Sequence, residues 1–282
     1  MIDKRDAWAP REHRQRILLL ANEFICLRPH LGLKDYISNY NITFPTKALM
    51  PDGFTVMPCG CSTLAIENDG KNLFVRLHGP TTKPYAVGSL ANQLEMMVTI
   101  EFKSAGLYAL TGIDQDDLTD QAIPFEAVSP KLCKLIAEAV EKAGDVYQLA
   151  VSFDRLLLEN MDAAHHPQLK LLFHSIVGHA GSISIKRLSE DVHYSERQIN
   201  RIFKQHVGVS AKTFSRLIRI HNAFRLLKKP QSSVTLVSDA MGFHDLPHFI
   251  HDFKSVCGIT PQEYRANMSD FYSNTSKFYD IL

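Results

Sequence analysis

The sequence predicts an α+β protein of two parts, a mostly β N-terminal domain and an all-α C-terminal domain. Short β-branched runs separated by turn residues fill about 30–128, whereas apolar residues recur at helical spacing from 130 onward. Residues 169–267 carry a net charge of +7, and the rest of the 282-residue chain carries −6. This asymmetry indicates a polyanionic partner for the basic part alone; the alternative is a merely solvated basic surface.

Composition and motif content exclude several classes of function. No apolar run approaches the roughly 18–20 residues that a membrane span needs, so no membrane partner is expected. Five cysteines, scattered and odd in number, fit reduced thiols in the cytoplasm better than a disulfide framework. There is no Ser/His/Asp order, paired carboxylate motif or phosphate loop. We therefore expect neither an enzyme nor a cofactor.

The N-terminal elements are predicted in order along the chain. Residues 11–25 have the pattern of a short helix. From 30 to 128, runs such as STLAIE and NLFVRLHG alternate with the turn signals PDG (51–53) and NDG (68–70), which favours a β domain. Two amphipathic helices should follow between 130 and 160, separated near Gly144. Their apolar stripe fits either a dimer seam or packing on their own β domain.

Polar, proline-containing residues 162–168 indicate an interdomain linker. The predicted domains are therefore 1–168 for sensing or oligomerisation and 169–268 for a helical module. A tail, 269–282, either docks its aromatic side chains or is disordered.

The first helical unit joins a short amphipathic helix, SIKRLSEDV, to SERQINRIFKQHVG through a tight turn. Ser195 and Gln198 make a capping-box pattern at the start of the second helix. The predicted buried stripe of that helix is Ile199, Ile202 and Phe203. Arg197, Asn200, Arg201 and Lys204 then point outward, as in the second helix of a helix-turn-helix that enters a major groove.

The second unit, SVTLVSDAMGF followed by HDLPHFIHDFKSVCG, contains three histidines that could suggest a zinc-binding helix face. Pro247 argues against this interpretation, because proline is tolerated only in the first turn of a helix. The helix should then begin near Leu246 with Asp245 as its N-cap. His244 would lie outside it, in the turn. A second helix-turn-helix fits better than a metal site, and no metal is expected.

One long helix should connect the two units. It runs from Ser210 to Lys228 by its apolar spacing, which is roughly 28 Å at about 1.5 Å per residue. That length is comparable with the ~34 Å between major-groove positions one helical turn apart. Two reading helices could thus be presented to consecutive turns of one duplex.

The segment GFHDLPHFIHDFKSVCGITPQEYR (242–265) resembles the signature of the AraC/XylS family of bacterial transcription regulators. SERQINRIFK and GVSAKTF are similar to the family's first helix-turn-helix, and the likeness covers about 100 residues. The resemblance implies a double helix-turn-helix domain in a sequence-specific transcription regulator, more often an activator. It implies double-stranded promoter DNA and RNA polymerase as partners, with a small-molecule effector and a homodimer left open.

By this resemblance, the base-reading positions are Arg197, Asn200, Arg201, Leu246, Pro247, Ile250 and His251. The residues expected to bind DNA phosphates are Lys186, Lys204, Lys212, Arg216, His248 and Lys254. The family usually has serine near position 247 and arginine at 251. Pro247 and His251 leave the second reading helix poorer in hydrogen-bond donors, so more shape and methyl contacts are expected there.

The N-terminal domain is expected to be cupin-like or related. It lacks the His-x-His and glutamate spacing of a metal-binding cupin, and His78 stands alone, which favours a structural histidine. Cys59-Gly60-Cys61 is either incidental or a redox or metal pair, although two cysteines cannot complete a tetrahedral site. The competing hypothesis is therefore a metal-dependent or redox sensor, or an enzyme, in the β domain that the helical module only targets to DNA.

Overall fold

The computed structural model describes residues 2, 15–161, 166–229 and 231–266. The strands of the N-terminal domain are β1 (Ile17–Leu20), β2 (Phe24–Leu27), β3 (Ile37–Thr43), β4 (Thr55–Val56), β5 (Thr63–Asn68), β6 (Leu73–His78), β7 (Tyr85–Ala86), β8 (Met96–Phe102) and β9 (Ala122–Pro124). Within the described part of the chain they form a seven-stranded antiparallel sheet of order β1-β2-β3-β8-β5-β6-β9 and a two-stranded sheet of β4 and β7.

The predicted helix over 11–25 is wrong where the structure can test it. Residues 17–20 and 24–27 pair as an antiparallel hairpin, and residues 11–14 lie outside the described part. All of β2 is buried, so its apolar run serves both faces of the sheet rather than one face of a helix. The Arg16 guanidinium donates to the main-chain oxygen of Arg28 at 2.7 and 2.9 Å, which closes the hairpin.

The two predicted helices after the sheet are confirmed. The N-terminal helices are α1 (Gly88–Ala91), α2 (Gly106–Thr111), α3 (Pro130–Lys142) and α4 (Val146–Asn160). Both α3 and α4 join the sheet in one hydrophobic core, through side chains such as Ile136 and Phe153. Asp154 fastens α4 to the sheet, because it accepts hydrogen bonds from the Tyr40 hydroxyl at 3.0 Å and the His30 amide at 2.8 Å and pairs with Arg16 at 2.8 Å. The apolar stripe of α3 and α4 thus packs on the β domain of the same chain.

The described residues of the C-terminal domain form seven helices joined by turns. Its helices are α5 (Leu169–Gly178), α6 (Ile185–Val192), α7 (Glu196–Val207), α8 (Ala211–Leu227), α9 (Val234–Ala240), α10 (Leu246–Cys257) and α11 (Pro261–Ala266). The overall prediction of a β domain followed by a helical domain is confirmed, while the cupin-like expectation is not. None of the described helices is long and apolar enough to cross a bilayer.

Helix α8 contributes to two separate hydrophobic cores. Phe214 and Ile218 pack with α5, α6 and α7 in the first core. Leu217, Ile220 and Phe224 pack with α9, α10 and α11 in the second. With 17 residues, the helix is roughly 26 Å long. It is therefore the shared support of both helix-turn-helix units.

The linker and the tail fall largely outside the described residues. Residues 162–165 of the predicted linker and 267–282, with the tail aromatics, are not described. The expectations for them remain predictions.

Candidate nucleic-acid interface

Helix α7, the predicted first reading helix, begins where the sequence predicts. The Ser195 hydroxyl accepts from the Gln198 amide at 3.2 Å, and the Gln198 side chain accepts from the Ser195 amide at 2.8 Å, which completes the capping box. The predicted stripe of Ile199, Ile202 and Phe203 is buried. The turn before the helix places His193 in the left-handed region at φ 56°. The helix is thus held at both its start and its inner face.

Three of the four predicted outward side chains of α7 are exposed, namely Arg197, Arg201 and Lys204. Asn200 is half-buried, and its side chain is engaged with main chain. Its Nδ2 donates to the Glu196 oxygen at 3.0 Å, and its Oδ1 accepts from the amide of Ala211 at 3.2 Å. Asn200 therefore joins α7 to the first residue of α8, and this geometry does not support its prediction as a base-reading residue.

Helix α10, the predicted second reading helix, also has the predicted start. It begins at Leu246 with Pro247 in the first turn, and Asp245 caps it by accepting from the His248 amide at 2.7 Å. His244 lies before the helix and is exposed. The prediction that His244 lies outside the helix, in the preceding turn, is confirmed. Among the described residues, no three His, Cys, Asp or Glu side chains are grouped as metal ligands would be.

Side chains on the outer face of α10 differ in exposure. Pro247 and His251 are exposed, whereas Leu246 and Ile250 are half-buried. Leu246 also packs against the second core. This face offers mainly apolar contact, in line with the expectation of shape and methyl recognition.

The predicted phosphate-binding residues divide into two groups. Lys186, Lys212, His248 and Lys254 are exposed on the helical domain. Arg216 is engaged within the protein, because its Nε lies 2.9 Å from Asp252 and its guanidinium also donates to the Ser255 hydroxyl. It ties α8 to α10, so the geometry does not support its assignment to phosphate. Lys204, although exposed, pairs with Asp116 of the β domain at 3.0 Å.

Sequence reasoning missed an acidic segment of the β domain that faces α7. We call residues 114–118 the acidic turn; Asp114 caps its 3₁₀ segment Gln115–Leu118. Asp114 and Asp116 line a cleft of about 780 Å³ with five residues of α7. Those five are Arg197, Gln198, Arg201, Lys204 and Gln205. The only sequence signal was the acidic run itself, which does not identify its partner.

A second interdomain contact involves the segment before β5. The Nε2 atom of His221 in α8 donates to the Pro58 oxygen at 2.7 Å, and Met57 is buried in the second core. Next to it, Cys59 and Cys61 each place a thiol within 3.8 Å of the other's main-chain oxygen. The hydrogen bond from Cys61 lowers the pKa of Cys59, whereas burial raises that of Cys61 well above its usual value.

His78, the other candidate in the β domain, has a structural environment. Its ring stacks on that of Tyr85 with centroids 5.5 Å apart, and its Nδ1 lies 3.1 Å from the Tyr85 hydroxyl. Burial lowers its pKa below the usual value. These contacts favour the structural interpretation of His78.

Residues 188–267 match the sequence family described as a helix-turn-helix domain, and residues 26–124 match one described as a domain of unknown function (DUF6597). The two matches follow the two domains of the structure. The C-terminal part is an AraC-type helix-turn-helix domain. The matched residues 188–267 include α7, α8 and α10, whereas the family that matches the β domain is described as one of unknown function.

Three similar proteins cover 30%, 36% and 82% of this chain. An uncharacterized HTH-type transcriptional regulator of Haemophilus influenzae is 34% identical over 85 residues, which are 30% of this chain and 28% of that protein. A transcriptional regulator from Chromobacterium violaceum with an AraC-type DNA-binding domain is 27% identical, with a TM-score of 0.34 over 36% of this chain and 96% of that one. ToxT from Vibrio cholerae is 14% identical, with a TM-score of 0.40 over 82% and 93%. The chain spans less than a third of the length of the Haemophilus relative.

Proposed function

We propose that this protein is a sequence-specific DNA-binding transcription regulator, with α7 and α10 as its two reading helices. The observation that carries the proposal is the exposure of Arg197 and Arg201 on a capped helix whose opposite face is buried. Arginine reaches guanine O6 and N7 bidentately in the major groove, so two such side chains on one helix can specify bases. The net charge of +7 on residues 169–267 supports a polyanionic partner.

The two reading helices divide the work in this proposal. Helix α7 supplies hydrogen-bond donors, while α10 offers Pro247, Ile250 and His251 for shape and methyl contacts. Lys186, Lys212 and Lys254 hold the phosphates and set the register without specifying sequence. The common support by α8 keeps the two helices at a fixed separation.

The remaining parts of the proposal concern regulation. Activation through RNA polymerase is the role implied by the resemblance to the AraC/XylS family. The β domain responds to an effector or oligomerises the chain, and its contacts with α7 and α8 are the route by which either event reaches the AraC-type domain.

Selection of duplexes from a random 30-bp pool with the full-length chain tests the proposal. We expect an enriched sequence that binds more tightly than its scrambled counterpart. Arg197→Ala with Arg201→Ala should weaken binding to it by roughly 30-fold or more, since two bidentate contacts of about 1–3 kcal/mol each contribute at least about 2 kcal/mol. Arg187→Ala is the matched control, because this exposed arginine of α6 pairs with Glu190 and Asp191 of its own helix. Equal binding of enriched and scrambled duplexes would refute the proposal.

A further inference from the structure

The acidic turn lies against the face of α7 that is proposed to read DNA. Asp116 accepts from the Lys204 ammonium at 3.0 and 3.3 Å through its two carboxylate oxygens. Asp114 lines the same cleft as Arg197 and Arg201. Two carboxylates of the β domain thus share a cleft with three cationic side chains of one helix.

The contact is more than an exposed ion pair, because packing holds the β domain to the C-terminal end of α7. The Thr119 hydroxyl donates to the Gly208 oxygen at 2.6 Å. The rings of Tyr108 and His206 lie with centroids 4.0 Å apart. At Gly208, an added Cβ would lie 2.7 Å from the oxygen of Gln115, which shows how closely the two domains approach.

This arrangement and a duplex on the first unit exclude each other. A helix with its side chains is about 10–12 Å across, and the major groove is about 12 Å wide, so α7 fills the groove that it enters. No room is left for a second protein segment on the reading face. The carboxylates of Asp114 and Asp116 would also stand among phosphates, and like charges repel.

We infer that the acidic turn is an intramolecular competitor of DNA for Arg197, Arg201 and Lys204. This inference rests on the proposed function and names the regulation of the same site. DNA binds through α7 only in the fraction of molecules whose β domain has moved off, so the apparent affinity is reduced by that fraction. Any ligand or partner that binds the β domain only in its displaced position raises DNA affinity without touching DNA.

The test uses the full-length chain and a labelled 30-bp duplex enriched from a random pool. Asp116→Asn removes the partner of Lys204, and we expect duplex affinity to rise roughly two- to fivefold, the range for an exposed ion pair. Asp117→Asn is the matched control, because Asp117 is exposed in the same turn and does not line the cleft. It removes the same charge and should raise affinity clearly less.

Amide hydrogen exchange measures the packing of the acidic turn directly, and a general effect of charge on DNA affinity does not change it. Saturating wild-type protein with the duplex should speed exchange in residues 113–121, because the acidic turn loses its packing against α7. If the duplex binds and exchange in residues 113–121 is unchanged, the inference is overturned and the proposed function is unaffected. The same holds if Asp116→Asn and Asp117→Asn change duplex affinity equally. If neither the wild-type chain nor its variants bind any duplex in about 50–200 mM salt, both the inference and the proposed function are refuted.

Discussion

The His221 ring nitrogen Nε2 lies 2.7 Å from the main-chain oxygen of Pro58, so the helix shared by both helix-turn-helix units is hydrogen-bonded to the β domain. A carbonyl oxygen only accepts, and Nε2 therefore carries the proton. Burial lowers the pKa of His221 to about 4, and the hydrogen bond to Pro58 offsets this only partly. The ring is neutral in the folded protein at neutral pH.

A pH dependence of stability follows from His221. Its pKa is about 6.5 when exposed and about 4 when folded, so the unfolded chain binds the extra proton between these values. This contribution to stability is complete above about pH 6.5 and falls as pH drops towards 4, by on the order of 3 kcal/mol in full. Unfolding free energies measured at pH 7 and 4.5 should differ less in His221→Gln than in wild type.

Two histidines serve as comparisons for that measurement. Burial also lowers the pKa of His78, so some pH dependence of the same sign should survive in His221→Gln. His244 is exposed in the turn before α10, and His244→Gln should leave the difference as in wild type. An unchanged difference in His221→Gln would contradict the expectation.

Gly181 and Gly242 form a matched pair for testing close packing in the C-terminal helical domain. Both have positive φ, at +79° and +67°, so alanine has a similar backbone cost at each, about 1–2 kcal/mol. A Cβ at 181 would lie 2.2 Å from the Ser215 oxygen of α8, whereas at 242 nothing lies within 4 Å. Gly181→Ala should lower the free energy of unfolding by about 1–3 kcal/mol more than Gly242→Ala in urea titrations. Equal losses would show that α8 shifts without cost.

Arg216 and Lys212 are predicted to act differently although both are basic residues of α8. Arg216→Met breaks the ion pair with Asp252, so we expect the free energy of unfolding to fall by about 1–3 kcal/mol. Lys212 is exposed, and Lys212→Met should leave stability unchanged but reduce the salt dependence of DNA binding by about one phosphate contact. Urea titration and duplex binding at several salt concentrations measure the two effects. If Arg216→Met instead left stability unchanged and reduced the salt dependence of DNA binding, Arg216 would be a phosphate-binding residue after all.

The thiols of the β domain should differ in reactivity. The pKa of Cys59 is lowered by the hydrogen bond from Cys61, while burial raises the pKa of Cys133, and both side chains are half-buried. Because the thiolate is the reactive form, iodoacetamide at pH 7.5 should alkylate Cys59 several times faster than Cys133. Peptide mass spectrometry over time measures both rates. Faster alkylation of Cys133 would show that access, and not thiolate content, controls the reaction.

The sequence predicts the limits of α7 and α10 well because those limits depend on local chemistry. Ser195 and Gln198 lie three residues apart, and Asp245 and Pro247 two apart, so the signals that start α7 and α10 are contained in short segments. The buried stripe of α7 follows from helical spacing alone.

Interactions between distant segments account for what was missed. Asp116 and Lys204 are 88 residues apart, and nothing in either segment identifies the other. The side-chain oxygen of Asn200 accepts a hydrogen bond from the amide of Ala211, 11 residues later at the start of α8. A helical projection places Asn200 on the outer face of α7 and does not show this bond. Residues 11–25 have the pattern of a short helix, but the apolar run ILLL (17–20) within them fits a buried strand equally well, and β1 forms there.

The shared use of α8 has a consequence for how the helical half of the protein holds together. Neither helix-turn-helix unit can unfold alone without exposing the apolar side chains of α8 that pack against it. Heat or urea should therefore unfold both units in one cooperative step. The two units cannot be separated, by evolution or by engineering, through a chain break between 211 and 227. Either fragment would lose part of α8, against which its aromatic rings pack.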